Sequence, residues 1–205
     1  MTSPFETLGT GTRSLFRGNP WNIAIGIVVI LGIWLVFAYN GLVSASANVK
    51  NMWAQVEVQY QRRVDLVPNL VATVKGAANF EQETFRQVTE ARSAWAQAKT
   101  VGDRGQEIAA AGSFDAALSR LIVTVEAYPQ LQATQSFRDL MTQLEGTENR
   151  VSVARKDYND AVAAYNIRVM RFPGKLAAVL FGFTSEKPFE AAPGSENAPA
   201  VDFTK

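Results

Sequence analysis

Residues 21–39 read WNIAIGIVVILGIWLVFAY, and this stretch decides the architecture of the chain. Sixteen of these 19 residues are apolar, Asn22 carries the only polar side chain, and no charged residue occurs between Arg17 and Lys50. Nineteen residues in an α-helix reach about 28 Å, which matches a hydrocarbon core of about 30 Å. The sequence therefore predicts a membrane-spanning helix over residues 21–39, preceded by a leader over residues 1–20.

A cleaved signal peptide is the alternative interpretation of the same stretch. Ala45-Ser46-Ala47 offers the small-residue pattern that a signal peptidase favours. The apolar run is longer, however, than the usual signal-peptide core of about 7 to 15 residues, and the leader contains the acidic residue Glu6. These features favour a retained anchor over a cleaved one.

The charges that flank the span predict its orientation. Arg13 and Arg17 lie on the amino side, whereas Lys50 is the only cation within about 20 residues on the carboxyl side. Because positive charge is retained in the cytoplasm, this asymmetry favours a cytoplasmic amino end. The domain after the span is then expected outside the cytoplasm, in the periplasm of a Gram-negative cell.

The composition excludes several kinds of chemistry. The chain has 205 residues, with 20 Lys+Arg against 19 Asp+Glu and neither Cys nor His. Zinc fingers, haem ligation, disulfides, thiol nucleophiles and imidazole bases are therefore excluded. A net charge of +1 gives no field to attract nucleic acid, and no phosphate-binding loop occurs. We expect no cofactor, no metal and no nucleic-acid partner, and the sequence identifies no small-molecule substrate.

Beyond the span, apolar residues recur every 3.5 to 3.6 positions, which predicts amphipathic helices and no sheet. Each of four segments carries one apolar stripe, and four stripes bury one another in a helical bundle. The stripes are Leu42, Val49, Trp53, Val56, Tyr60 and Val67; Phe85, Val88, Ala91, Trp95 and Ala98; Phe114, Leu118, Leu121, Val125 and Tyr128; and a run from Leu140 to Phe172 broken only at Thr147 and Arg168. The prediction is an all-α protein, with a bundle over residues 40–172.

Local signals predict where these helices begin and end. Pro68 is expected to end or kink the first bundle helix. The pairs Asn79/Gln82 and Ser136/Asp139 resemble capping boxes, and residues 102–105 read as a helix–helix loop. No proline lies between Pro20 and Val67, so the spanning helix is expected to run directly into the bundle as a rod of about 70 Å.

Charged residues beside the stripes are interpreted as a structural polar lock. Those around Pro68 are placed to satisfy backbone groups that a proline frees, and the others to pair across helices and fix their register. The predicted lock consists of Arg62, Arg63, Asp65, Asn69, Arg92, Glu126, Glu148 and Arg150. A carboxylate-dependent hydrolase at the membrane, with acids such as Asp65, Glu126 and Glu148 converging in a cleft, is the alternative.

The carboxyl-terminal segment, residues 173–205, differs from the rest. Residues 175–183 read KLAAVLFGF and predict a short helix or docked apolar segment, and the proline-rich remainder is expected to be flexible. Phe181 and Phe183 either pack against the end of the bundle or form an exposed patch that binds a partner or touches the membrane. Remodelling of a membrane by this segment is a third possibility.

Several motifs in matching order resemble the LemA family. They are Tyr39-Asn40-Gly41-Leu42-Val43, RRVDLVPNLVATVKG (62–76), FEQETFRQVTEAR (80–92), LSRLIVTVEAYPQL (118–131), TENRVSVARKDYNDAVAAYN (147–166), Phe172-Pro173 and FGF (181–183). The resemblance implies an antiparallel four-helix bundle on an amino-terminal membrane anchor and no established enzymatic activity. One branch of the family is associated with magnetosome membranes.

Taken with the resemblance, the sequence predicts a single-pass protein of the bacterial cytoplasmic (inner) membrane that acts as a non-catalytic scaffold or protein-interaction module. Its expected partners are the lipid bilayer and other envelope proteins or further copies of itself.

Overall fold

The computed structural model describes residues 20–75 and 82–190, which form six α-helices. They are α1 (Pro20–Lys75), α2 (Gln82–Val101), α3 (Arg104–Glu126), α4 (Pro129–Gln132), α5 (Gln135–Met170) and α6 (Gly174–Phe181). No strand occurs in these two ranges, which confirms the all-α prediction for this part of the chain.

Helix α1 is continuous over 56 residues, about 84 Å at 1.5 Å per residue. The predicted continuity between the apolar stretch and the first bundle helix is therefore confirmed. Of the two expectations at Pro68, the end of the helix is wrong, because α1 continues to Lys75, and a kink stays a prediction. Val64, Val67, Leu70 and Val74 are buried around the proline, and this packing offsets the hydrogen bond that the ring removes.

Contacts between helices define their directions. Gly41 and Tyr60 on α1 meet Arg168 and Arg155 on α5, so these two helices run antiparallel. Tyr60 also lies 2.8 Å from Asp115, and Trp53 lies 2.9 Å from Glu107, so α3 runs parallel to α1.

Helix α2, which forms a hairpin with α3, runs antiparallel to both α1 and α3. Arg120 on α3 donates to Gln87 on α2, and the Tyr60 and Trp95 rings lie 4.9 Å apart. Helix α1 packs most extensively on α5, and α2 on α3. The long helices α1, α2, α3 and α5 thus alternate in direction around a shared core.

The predicted stripes form that core. Every stripe residue of the first and second segments is buried, as are Phe114, Leu118, Leu121 and Val125 on α3. The fourth stripe extends too far, because α5 ends at Met170 and Arg171 takes an extended backbone. Phe172 is consequently 74% exposed. Thr147, which breaks the apolar pattern, is buried and donates to the Leu144 carbonyl oxygen.

The helix boundaries correct one capping prediction. Asp103 caps α3 by accepting a hydrogen bond from the Gln106 amide at 2.8 Å, so the predicted loop shortens to Gly102 and Asp103. The Ser136/Asp139 box is wrong, because α5 already begins at Gln135, with Thr134 at the capping position. The Asn79/Gln82 box lies partly outside the described residues.

Residues 184–190, here called the carboxyl-terminal strap, are docked on α5, which corrects the prediction of a flexible tail for this stretch. The Asn166 side chain accepts from the Glu186 amide and donates to the Glu186 carbonyl oxygen, and Asn159 does the same with Phe189. The two amide side chains thus bond to the backbone of the strap as a neighbouring β-strand would. The flexible tail predicted beyond residue 190 lies outside the described residues.

Two tyrosines on α5 also hold the strap. Tyr158 donates to the Lys187 carbonyl oxygen at 2.8 Å, and Tyr165 donates to that of Thr184 at 2.9 Å. Burial raises the pKa of both hydroxyls, so both remain protonated donors near neutral pH. The sequence carries a signal for this arrangement, since the pair Tyr158-Asn159 recurs seven residues later as Tyr165-Asn166.

Candidate functional site

The first third of α1 presents a continuous apolar surface. From Trp21 to Phe37 nearly every large apolar side chain is exposed, and from Leu42 onward one side of the same helix is buried in the bundle. Exposed apolar area of this extent is unusual for a protein surrounded by water.

Two described helices are long and apolar enough to cross a membrane, α1 and α3. The apolar part of α3 is partly buried and contributes Phe114, Leu118 and Leu121 to the bundle core. That of α1 is not buried at all. Length, composition and exposure therefore coincide only in the amino-terminal part of α1, among the described residues.

A polar cluster of Tyr60, Arg63, Asp115, Glu148 and Arg155 lies between α1, α3 and α5. Arg63 Nη1 lies 2.8 Å from Asp115 Oδ1, and its Nη2 contacts Glu148. The Tyr60 hydroxyl donates to Asp115 Oδ2 at 2.8 Å, and Arg155 Nη2 contacts both that oxygen and the hydroxyl. Both oxygens of Asp115 are therefore occupied by donors, which suits a residue that joins helices.

Burial disfavours the ionised forms of the groups in this cluster. It raises the pKa of Asp115 to about 7, against the lowering effect of Arg63 and together with the repulsion from Glu148. Burial likewise lowers the pKa of the Arg155 guanidinium. Because each buried charge is costly unless paired, the cluster favours the one helix alignment that brings all five groups together.

A second buried acid, Glu107, lies eight residues before Asp115 on α3, which is about two helical turns. Trp53 Nε1 donates to Glu57 at 2.8 Å and to Glu107 at 2.9 Å, and the Arg104 guanidinium lies 4.4 Å from the indole centre. Burial raises the pKa of Glu107, the hydrogen bond from Trp53 lowers it, and the neighbouring Glu57 raises it. This pair of carboxyls was not predicted, since the two residues are 50 positions apart.

The predicted polar lock is distributed over the structure. Arg63 and Glu148 are brought together in the polar cluster. Asp65 accepts from Gln61 on its own helix, and the Asn69 carbonyl oxygen accepts from Thr73. Among the described residues, no hydrogen bond joins the side chains of the predicted lock to backbone groups beside Pro68. The remaining members, Arg62, Arg92, Glu126 and Arg150, are exposed.

The acids of the hydrolase alternative lie on three different helices. Asp65 is on α1, Glu126 at the end of α3 and Glu148 on α5, and in the described part of the chain no hydrogen bond joins any two of them. No group of three or more acidic side chains in residues 20–75 and 82–190 is arranged to hold a metal ion.

Phe181 and Phe183 lie where the exposed part of α1 meets the bundle. Their ring centres are 4.7 and 6.0 Å from that of Tyr39, the last residue of the predicted span. Phe183 is half-buried and Phe181 remains partly exposed, so the two rings pack on α1 at the base of the bundle.

The fold and its surfaces define a class of protein: a membrane-associated helical protein in which one helix carries both a membrane-length apolar surface and a side of the bundle core. The LemA family model matches residues 52–203, and the chain belongs to this family. The resemblance found in the sequence motifs is thereby confirmed.

Curated relatives agree with this assignment. The chain is 29% identical to Magnetosome protein MamQ 2 of Paramagnetospirillum magneticum, over 85% of this chain and 72% of the relative. It is 27% identical to Magnetosome protein MamQ of Magnetospirillum gryphiswaldense, over 79% and 68% of the two chains. It is also 22% identical to Protein LemA of Metamycoplasma hominis, over 82% and 74%.

Proposed function

We propose that this chain is a single-pass, membrane-anchored scaffold or protein-interaction module of the bacterial envelope, without catalytic activity. The single observation that carries the proposal is the continuity of α1 from its exposed apolar part into the bundle core. Because one unbroken helix serves both regions, the bundle is held at a fixed distance from the bilayer and in a fixed direction relative to the span. Such a rigid projection suits a protein that presents a surface to other proteins.

The polar cluster supports a structural role for the buried charges. Its carboxylates and guanidiniums pair with one another across three helices. The MamQ relatives are named magnetosome proteins. The partners that we propose for this chain are envelope proteins or further copies of itself, because the bundle projects rigidly from the bilayer.

Membrane anchoring is tested by charge substitution in the span of the full chain. We expect the wild-type protein to stay in the membrane pellet after alkaline carbonate extraction. Val28→Arg together with Ile30→Arg should release it, because each central arginine opposes insertion by about 3 kcal/mol. Val153→Arg, at an exposed valine of the bundle, is the matched control and should remain in the pellet. A soluble wild-type chain that has lost its leader would contradict the anchor.

Orientation is tested by cysteine labelling, since the native chain contains no Cys. Ser119→Cys, exposed on α3, should react with a membrane-impermeant maleimide in cells whose outer membrane is permeabilised. Ser3→Cys in the leader should react only after lysis. The reverse pattern would place the bundle in the cytoplasm.

Partners are tested by proximity labelling from the carboxyl terminus in living cells. A matched control carries the labelling enzyme on the first 40 residues alone. We expect envelope proteins or copies of the chain to be enriched over this control. No enrichment, together with a monomeric mass in detergent, would contradict the scaffold role.

A further inference from the structure

Helix α6 has large apolar side chains on the side that faces away from the bundle. Ala177 and Ala178 are buried against the bundle, whereas Leu176, Val179 and Leu180 are exposed. Leu176, Val179 and Leu180 are spaced by 3 and 4 positions, which places them on one face of α6. Phe172, two residues before the helix, is exposed as well. Val179 is 75% exposed. A helix that is apolar on both sides is expected to have a second apolar neighbour.

The position of α6 indicates what that neighbour is. Phe181 and Phe183 contact Tyr39, and Arg168 donates to the Gly41 carbonyl oxygen at 3.0 Å. The exposed face of α6 is therefore continuous with the exposed apolar surface of α1, at its carboxyl end. If α1 crosses the bilayer over residues 21–39, α6 lies at the level of the lipid headgroups.

The charges around α6 complement an anionic surface. Residues 161–185 contain Arg168, Arg171 and Lys175 and no acidic residue. Arg171 and Lys175 are exposed, on either side of the cis Phe172–Pro173 bond that precedes the helix. Basic residues beside an apolar helical face are typical of segments that lie in the interface of a membrane with anionic lipids.

We propose that α6 lies in the interface of an anionic membrane leaflet, with Phe172, Leu176, Val179 and Leu180 among the acyl chains and Arg171 and Lys175 at the phosphates. The inference rests on the proposed anchoring by α1 and adds a second lipid contact to it. This contact fixes the rotation and tilt of the bundle on the membrane, because α1 alone leaves its rotation about its own axis free.

The test uses the full-length chain in nanodiscs of phosphatidylcholine and phosphatidylglycerol that contain a spin-labelled lipid. A single cysteine carries an environment-sensitive fluorophore at Val179, at Val28 in the span, or at Val153 on the bundle, three exposed valines. We expect quenching of about twofold or more at positions 179 and 28 and none at 153. Quenching at 28 without quenching at 179 would overturn the proposal while the anchor stands. Absence of quenching at both positions would overturn the anchor itself.

The anionic character is tested in the same system. Quenching at position 179 should weaken when phosphatidylglycerol is omitted, and the Arg171→Gln/Lys175→Gln variant should lose this dependence on lipid charge. Equal quenching in both lipid mixtures would overturn the assignment to an anionic leaflet. The variant Lys50→Gln, which removes an exposed cation farther along α1, is the matched control and should behave as the wild type.

Discussion

Arg63 on α1 and Asp115 on α3 meet inside the bundle, 52 residues apart in sequence, with Nη1 and Oδ1 separated by 2.8 Å. The Arg63 side chain is only 5% exposed. The same guanidinium reaches Glu148 on α5, so one side chain fixes the relative positions of three helices.

Asp115→Ala should destabilise the bundle strongly, because it leaves Arg155 without its carboxylate and Arg63 with only Glu148. We expect a loss of about 3 kcal/mol in the free energy of unfolding, measured by urea denaturation in detergent with circular dichroism. Asp160→Ala, which breaks an exposed pair with Lys156, is the control and should change little. Equal effects of the two substitutions would contradict the role of the polar cluster.

Glu107→Gln should reduce the pH dependence of stability. Burial raises the pKa of Glu107 above its value in the unfolded chain. The contribution of Glu107 to the free energy of unfolding is therefore complete below the unfolded pKa of about 4.5 and is lost as the pH rises through the folded pKa. Glutamine keeps an acceptor for Trp53 and carries no charge at any pH. The variant should therefore gain stability over the wild type at pH 8 but not at pH 4, as measured by urea midpoints.

Burial also raises the pKa of Asp115, so Asp115 too makes the wild type less stable as the pH rises. Only the difference in stability between the variant and the wild type therefore reports on Glu107. Glu126→Gln, at an exposed acid, is the control and should leave the pH profile unchanged. A Glu107→Gln profile parallel to that of the wild type would contradict this assignment.

Phe189→Ala should loosen the carboxyl-terminal strap. The ring stacks on Trp53 with centres 5.6 Å apart, and the Arg155 guanidinium lies 4.8 Å from its centre. We expect a loss of about 2 kcal/mol in the free energy of unfolding, less than for a fully buried ring. Hydrogen exchange should also accelerate at the Glu186 and Phe189 amides. Phe172→Ala, at an exposed ring, is the control and in detergent should change neither the free energy of unfolding nor the exchange rates. Similar effects of the Phe189 and Phe172 variants would contradict the docking role of Phe189.

Pro68→Ala should stabilise α1, because alanine restores the amide that can donate to Val64 and removes the ring from the helix interior. We expect a gain of about 2 kcal/mol, measured by urea denaturation. Pro129→Ala, at the first position of α4, is the matched control, since a proline costs little there. A loss of stability at Pro68→Ala would show that the surrounding bundle requires the proline.

The outcome at Pro68 illustrates how local rules can fail. The sequence predicts an interruption because a proline removes a hydrogen bond, but four buried neighbours on α1 hold the helix together. At the end of α5 the prediction is wrong in the opposite sense, since the apolar spacing continues to Phe172 but the helix ends at Met170. At Pro68 the deciding contacts are those of the bundle core. The end of α5 has a local cause, since Pro173 disfavours a helical conformation for the residue before it.

The candidate site was predictable only in part. Arg63 was singled out because it precedes Pro68, and Glu148 because it lies beside a stripe. Asp115, the other partner of Arg63, was not singled out, since a single acid on an amphipathic helix resembles any solvated residue. Tyr60 was assigned to the core and is there, yet its hydroxyl also serves the polar cluster. The proline and serine residues of the strap predict a flexible segment. The Asn159 and Asn166 side chains that hold it lie on α5, 20 to 30 positions away in sequence.

The sequence by itself determined the apolar helix at the amino end, its continuity into the bundle and the faces that the long helices bury. These features depend on hydrophobicity and on the helical period, which act between residues a few positions apart. Only the tertiary structure decided which charges pair, where the strap docks and that α6 lies beside Tyr39. Those contacts join residues tens of positions apart, and their free energy depends on burial that exists only once the helices are packed.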